Sequence, residues 1–399
     1  MTTERLRLVW ITPSFQLDAD DSWSPGVTAL AHRLADRNDV VVYALRSRGG
    51  RARFRIGNVE VRAFADGPPA GIRTLRRIGP LVRLLSMIRR EPRGQRIIHA
   101  FWATETALAG AIASRLGRRP FVVSCMGGEP ASLPALGFGG ARTAAGRLLL
   151  HAGIIRANVI TAGSRWHAEV LRARIGSAKP VAIMPLGVDL SRFAAAPPAR
   201  AFLGSPPRML AVGSLLPVKG HRRLIEALRI VLPRLPPELR GCRLRIVGEG
   251  PERPSLEAAI ARLELRAHVE LAGSVAYRTM PSVYAAADFM ALSSHYESQC
   301  LALVEALACG LPVVSTPVGL APELLADGRA GELSRDTTAE SLALALERLL
   351  LRRGQWRELS RSARQAVLPF AIEQTTERWL DLYRSMARDV ESSPDVLRA

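Results

Sequence analysis

YESQCLALVEALACGLPVVSTPVG, residues 296–319, sets two carboxylates, Glu297 and Glu305, around the start of one helix. Leu301, Val304 and Ala308 recur at helical period, Cys309-Gly310 stops the pattern, and the apolar, β-branched run from Pro312 to Thr316 then reads as a strand. Glu297 therefore falls in the entering loop and Glu305 a turn inside. The free N–H groups near Ser298, Gln299, Cys300 and Leu301, with the helix dipole, form a site for phosphate oxygens.

A second phosphate-type turn lies upstream in MLAVGSLLPVKGHRRLIEAL. A strand over 208–212 runs into Gly213, a short loop, and Lys219-Gly220 at the start of another helix. Of 55 Lys and Arg residues only Lys179 and Lys219 are lysine, so positions that need mere positive charge use arginine. A compact ammonium on a flexible stem suits a diphosphate, whereas the planar guanidinium suits bidentate partners. A solvated lysine at a helix start is the plainer reading of Lys219.

The surrounding pattern alternates strand and helix. The apolar runs LRLVWI, VVVYAL, VEVRAF, RIIHAF, PFVVSC, NVITA and VAIM are interleaved with helical stretches at 26–37, 104–116 and 164–175. Strands at 208–212, 243–247, 267–271, 288–292 and 312–315 follow a Pro- and Ala-rich segment, Phe193 to Pro207. Such alternation predicts parallel sheets covered by helices. The 399 residues, 48% of them hydrophobic, suffice for two cores. The predicted division is 1–195, a linker at 196–207, 208–368, and a C-terminal segment 369–399. In open α/β sheets ligands bind beyond the carboxyl ends of the strands, where both phosphate-type loops fall.

VGSLLPVKG, LRIVGEGPER, Glu297-x7-Glu305 and ALACGLPVVSTPVGLAPELL together resemble the nucleotide-sugar half of retaining GT-B glycosyltransferases of family GT4, over about 160 residues. The N-terminal half resembles that family more loosely, through Pro25-Gly26-Val27, IIHAFWATE, PFVVSCMGGE and PLGVDLSRF. The resemblance implies an α/β fold of two Rossmann-like domains facing across a cleft. It also implies that the amphipathic stretch from Phe370 to Met386, with Trp379, Leu380, Leu382 and Tyr383, crosses back onto the first domain.

By the same resemblance the chain transfers a sugar from a nucleoside-diphosphate donor to a glycan, lipid-linked or small-molecule hydroxyl, retaining configuration. Glu297 contacts the sugar near the reacting centre, and Glu305 holds the ribose. Gly26, Gly213, Ser214, Lys219, Gly248, Val275, Ser298, Gln299, Cys300 and Leu301 complete the donor site, with the base held along Gly273 to Tyr277. Lys219 and the helix-start amides stabilise the departing diphosphate. No Asp-x-Asp motif lies among these loops, so neither metal nor other cofactor is expected.

The chain departs from the family where Ser214 replaces a common arginine, and where Met126 and Phe101 replace histidines. A thioether exchanges no protons, so His99 and Glu129, with Glu105 nearby, are the candidates for the missing histidine's role. His99, on the apolar strand with Ile97 and Ile98, equally suits a satisfied core position, and Glu129 a cap. These departures keep two rivals open: a nucleotide-sugar epimerase or hydrolase, and a silent subunit of a partner complex.

Net charge is +19, and the densest basic region, 71–96, has eight arginines against Glu91. Ile78, Leu81, Val82, Leu84, Leu85 and Ile88 fall near helical spacing there, interrupted by Pro80. That pattern fits an anionic membrane surface, or a helix packed on the first sheet with a solvated basic face. Nucleic acid is not an expected partner: zinc-finger spacing, basic heptads and aromatic-basic interleaving are all missing. Cys125, Cys242, Cys300 and Cys309 are scattered without metal or disulfide spacing, which fits a reducing cytoplasm. The start reads as a strand rather than a signal peptide, and no apolar run reaches about 18 residues. A cytoplasmic chain, soluble or peripheral at the inner membrane face, is the expectation.

Overall fold

A computed structural model describes residues 5–15, 24–46, 53–63, 84–88, 91, 96–176, 179–194 and 206–392. The chain forms two compact units. The first comprises Met1–Ser164, Ala168–Gly187 and Ile372–Ala399, and the second Arg165–His167 and Val188–Ala371.

The first unit is built on an eight-stranded sheet in the order β3-β4-β2-β1-β5-β6-β7-β8. Its strands are β1 (Arg7–Thr12), β2 (Asp39–Ala44), β3 (Arg53–Ile56), β4 (Val59–Ala63), β5 (Arg96–Phe101), β6 (Phe121–Cys125), β7 (Val159–Ala162) and β8 (Val181–Ile183). All neighbours are parallel except β3, which forms an antiparallel hairpin with β4. Strands such as β2, VVVYA after its first residue, are buried continuously because helices cover both faces. The edge strand β3 escaped the sequence reading because RFRI alternates arginine with apolar residues at an exposed rim.

The second unit carries a six-stranded, fully parallel sheet in the order β11-β10-β9-β12-β13-β14. These are β9 (Arg208–Val212), β10 (Arg243–Val247), β11 (Val269–Gly273), β12 (Phe289–Leu292), β13 (Val313–Ser315) and β14 (Gly331–Leu333). Successive residues point to opposite cores. Met209, Ala211, Phe289 and Ala291 join Leu224, Leu228, Leu346 and Trp356 on one face. Leu210, Met290 and Leu292 join Tyr284, Val304 and Leu307 on the other. The three-residue β14 was not foreseen; it is too short to carry a period.

The boundary between the units differs from expectation. The change between units falls at Gly187–Val188, ahead of the expected end at 195, because Val188 pairs with Phe370 and Phe193 is buried in the second unit's core. Phe193 thus closes the helix Leu190–Ala194 instead of opening a linker. Most of the predicted linker, 196–207, lies outside the described residues, as does most of the basic segment 71–96. Within that segment, residues 84–88 are helical and Leu84 and Ile88 are buried in the first unit's core, so these two do not face a membrane. None of the described helices is long and apolar enough to cross one.

The helix Ile372–Ser392 packs on the helix Pro25–Ala35 and on β5 of the first unit, as the family resemblance implied. Its outer turns pair Glu373 with Arg33 at 2.8 Å and Glu377 with Arg37 at 2.7 Å. Its inner face buries Trp379 and Tyr383. The Trp379 indole donates to the Pro185 carbonyl at 3.3 Å. His99 closes this contact: one ring nitrogen meets the Tyr383 hydroxyl at 2.7 Å, and the other meets the Ser124 hydroxyl at 2.7 Å. Ser124 in turn bonds Thr161 at 2.6 Å, so a polar chain crosses β5, β6 and β7 and ends on the helix.

Burial pushes the His99 pKa well below its ordinary value. The fold therefore holds His99 neutral while the unfolded chain protonates it, and stability present above about pH 6.5 is lost as pH falls. His99→Leu takes one hydrogen-bond partner from each of Tyr383 and Ser124 and should cost about 1–3 kcal/mol at pH 7.5. Urea unfolding checks this, and the variant should also lose less stability than the parent between pH 7 and pH 5.

Candidate functional site

The loops that leave β9, β10 and β11 at their carboxyl ends are hydrogen-bonded backbone to backbone. Gly213 donates to Val247 at 3.0 Å, Leu215 to Glu249 at 2.9 Å, and Gly248 to Gly273 at 2.9 Å. A Cβ on Gly248 would stand 1.9 Å from the Gly213 carbonyl oxygen, so no side chain fits there. The β9 loop ends in a 3-10 turn, Pro217–Lys219, and a left-handed Gly220 that redirects the chain into the helix His221–Val231. Gly220 approaches β12 so closely that a Cβ would lie 2.2 Å from the Ser293 carbonyl oxygen. His295 donates its amide to the Val218 carbonyl at 2.8 Å, and the Ser293 hydroxyl donates to the Lys219 carbonyl at 3.0 Å. These bonds fix where the Lys219 side chain begins.

Lys219 and Glu297 meet: Nζ donates to Oε1 at 2.6 Å, and the Ser294 hydroxyl donates to the same oxygen at 2.7 Å. The ammonium side chain keeps 27% of its exposure and the carboxylate 12%, so the pair sits at the rim of the protein. Burial alone would depress Lys219, but the facing Glu297 outweighs it and the pKa stands above its ordinary value. Lys219 is charged and partnered, which settles against a freely solvated lysine.

Beyond Glu297 the chain enters the helix Leu301–Ala308 through Cys300, a non-glycine residue at φ 73°, and no side chain caps the helix start. A left-handed cysteine is sparsely populated backbone of the kind found at ligand sites. Burial raises its thiol pKa, and Glu297 and Lys219 both act on it. Gln299 is buried, its carbonyl accepting from Leu320 at 3.0 Å, while Ser298 is half-buried. Leu301 and Val275 are partly buried against the core below. Ser214 is exposed.

Glu305 is buried, and both its oxygens are engaged: Tyr277 donates to Oε1 at 2.8 Å and Tyr284 to Oε2 at 2.7 Å. Burial raises the Glu305 pKa, against the opposing pull of Tyr284, Tyr277 and Arg192. The Arg192 guanidinium lies 4.6 Å over the Tyr277 ring and donates to the Tyr277 carbonyl at 3.0 Å. Sequence reading missed these partners. Tyr277 and Tyr284 stand seven apart, across a 3-10 turn and the short helix Met280–Ala285, and that spacing was the available signal. Arg192 gave none, being one arginine among many.

Three expected positions are corrected. His99 is fully buried with both nitrogens bonded, so it is a structural clamp rather than a proton-exchanging group. Glu129 is buried and accepts the amides of Ala103 at 3.0 Å, Met126 at 3.0 Å and Gly127 at 2.7 Å. Its carboxylate staples two loops of the first unit, and burial raises its pKa despite those amides. Gly26 is the buried second residue of the helix Pro25–Ala35, not a loop glycine. Residues 16–23, before it, lie outside the described residues. The next two cations along the chain turn elsewhere: Arg222 to the Ser255 carbonyl at 3.5 Å, Arg223 to the Ser293 carbonyl at 3.3 Å and to His295.

Comparison with known proteins agrees across both units. A family model described as Glycosyl transferases group 1 matches residues 195–366, and one described as Glycosyltransferase Family 4 matches residues 26–192. A GDP-mannose-dependent alpha-(1-6)-phosphatidylinositol monomannoside mannosyltransferase from Mycolicibacterium smegmatis is 32% identical over 64% of this chain and 68% of the relative. A D-inositol 3-phosphate glycosyltransferase from Saccharomonospora viridis is 36% identical over 53% of this chain and 52% of the relative, so the match spans about half that protein's length. Among solved structures, sucrose-phosphate synthase from Thermosynechococcus elongatus superposes with a TM-score of 0.78 at 21% identity, over 96% of this chain and 99% of that one. Anabaena HepE in complex with UDP gives 0.72 at 21% identity, over 95% and 100%. At that identity the two structures speak for the fold alone.

The two phenols hold a buried carboxylate that desolvation would otherwise neutralise. Tyr277→Phe should therefore destabilise the protein by about 1.5–3 kcal/mol at pH 7.5, the worth of a hydrogen bond to a charged group. The Glu305 pKa, already raised, should rise further, so the deficit narrows as pH falls and the carboxyl takes its proton. Chemical denaturation at pH 7.5 and pH 5.5 reads both.

Proposed function

From a chain that belongs to glycosyltransferase family 4, and is thus a glycosyltransferase of GT-B type, we propose transfer of a sugar from a nucleoside-diphosphate donor to an inositol-containing acceptor, with retention of configuration and without a metal. The observation that carries this reading is the Lys219–Glu297 pair at 2.6 Å beside the uncapped helix start at Leu301. There a cation and a helix start meet one carboxylate.

In this reading the diphosphate docks on the Gly213 loop and the helix-start amides, and takes over the Lys219 ammonium from Glu297. Glu297 then accepts hydroxyls of the sugar. A carboxylate offers about four acceptor positions. Tyr277 and Tyr284 occupy two of those on Glu305, which leaves room for the ribose hydroxyls. As the sugar–phosphate bond breaks, Lys219 and the amides stabilise the growing negative charge in place. The acceptor oxygen enters from the face the diphosphate leaves, and its proton passes to the departing phosphate oxygen. Glu305, assigned to the ribose, is no partner for Glu297 in a glycosidase-like carboxylate pair.

The acceptor class rests on the relatives named for phosphatidylinositol monomannoside and inositol 3-phosphate. A lipid-borne acceptor would draw the chain to the cytoplasmic membrane face, for which the arginines of 71–96 supply charge.

Thermal unfolding against GDP-, UDP-, ADP- and dTDP-sugars tests the donor. One base class should raise stability, by about 2.7 kcal/mol at a hundred times Kd, and Lys219→Ala should weaken binding about tenfold or more. Incubation of that donor with phosphatidylinositol monomannoside or inositol 3-phosphate should then yield a product whose anomeric coupling by NMR matches the donor's, with the rate unchanged by EDTA. Donor hydrolysis that no acceptor accelerates would point to a hydrolase, and absence of binding to every donor would point to a silent subunit.

A further inference from the structure

The donor site as described leaves one buried side chain unused. His221, the first residue of the helix His221–Val231, keeps 3% of its exposure, and neither ring nitrogen has a hydrogen-bond partner. Buried polar groups are nearly always paired, as His99 is on both sides, so an orphaned imidazole calls for a reason. Its place supplies one. The ring Nε2 lies 3.7 Å from where a Cβ on Gly213 would stand, and the Lys219 stem reaches the same point at 3.6 Å. Ring and lysine therefore flank a single glycine at the carboxyl end of β9.

The other cations of this loop are committed. Lys219 is paired with Glu297, Arg222 and Arg223 point to carbonyls, and residue 214 is a neutral serine. A diphosphate arriving here as a dianion meets one shared positive charge. His221 is held neutral: burial first, then the Lys219 cation, keep its pKa down at about 4. The backbone of Gly213 and Ser214 and the Glu297 carboxylate favour the protonated ring. Lys219 and Glu297 are the charged groups that act on the ring. A dianion added at Gly213 tips that balance toward the charged form.

We propose that His221 is a positioning residue of the diphosphate site, its imidazole taking a proton from solvent as the donor binds beside Gly213 and Lys219 and so providing the site's second cation. No covalent bond changes. The proposal rests on the reading that the chain binds a nucleotide sugar, and it adds that binding is coupled to proton uptake. A histidine that only fills space stays neutral in both states.

Isothermal titration of GDP-mannose and UDP-glucose into the full chain, in buffers of different ionisation heat, measures the protons taken up. The diphosphate of neither ligand titrates near neutrality. With the ligand that binds, wild type should take up a fraction of a proton at pH 7, and its affinity should rise several-fold from pH 7.5 to pH 6.5, with about tenfold per pH unit as the limit for one proton. His221→Gln keeps an N–H donor that cannot titrate, so it should bind with no uptake and a flat pH profile. His221→Phe should bind more weakly than His221→Gln at pH 6.5. The His221 ring resonances, followed by NMR in wild type, should titrate near pH 4 without ligand and in the neutral range with it, which tests the idea even where a variant fails to fold. Tight binding by wild type without proton uptake, or uptake that persists in His221→Gln, overturns the inference while leaving the proposed function standing. Failure of wild type to bind any nucleotide sugar removes both.

Discussion

Parallel pairing is the constraint from which the second unit follows. A parallel strand cannot be rejoined by a tight turn; each must return through a crossover, here chiefly helical, so every strand of β9 to β14 enters the sheet from the same side. The loops that leave β9, β10 and β11 consequently crowd together at one edge. They crowd so closely that Gly248 sits against the Gly213 carbonyl and Gly220 against that of Ser293. This crowding brings Lys219, 78 residues from Glu297 in the chain, into hydrogen-bond contact with it.

The charges at that edge are arranged at some cost. Glu305 is buried with two phenols as donors, and His221 is buried with none. Lys219 is held above its ordinary pKa only by the carboxylate beside it. A buried ion left unpaired costs several kcal/mol, so each of these groups constrains the others. In the Lys219–Glu297 pair the two charges satisfy each other. Fold and site agree in this respect, since the loop bonds that place Lys219 also place the start of the helix that carries His221.

The first unit uses its polar residues differently. His99, Ser124, Thr161 and Tyr383 form a satisfied chain from three strands to the helix Ile372–Ser392, and Glu129 gathers three amides from two loops. Both His99 and Glu129 resemble catalytic groups when read in sequence, because they lie close to Phe101 and Met126, where the family carries histidines. Burial with full pairing is what separates the two cases, and neither property is written in residue spacing.

Residue order alone sets the alternation of strands and helices, the two cores, the turn from Lys219-Gly220 into a helix and the placing of Glu297 before a helix with Glu305 inside it. These are local facts, set by hydrophobic period, stop residues and the conformational freedom of glycine. Tertiary structure alone decided the pairings: Lys219 with Glu297, Glu305 with Tyr277 and Tyr284, Arg192 over Tyr277, His99 with Tyr383. It also decided that Val188 and Phe193 join the second core, ahead of the expected boundary, and that the short edge strands β3 and β14 exist at all. Periodicity records how a segment faces its own core. Which distant side chain completes a hydrogen bond depends on how loops are brought together by the sheet, and that is fixed only once the strands have paired.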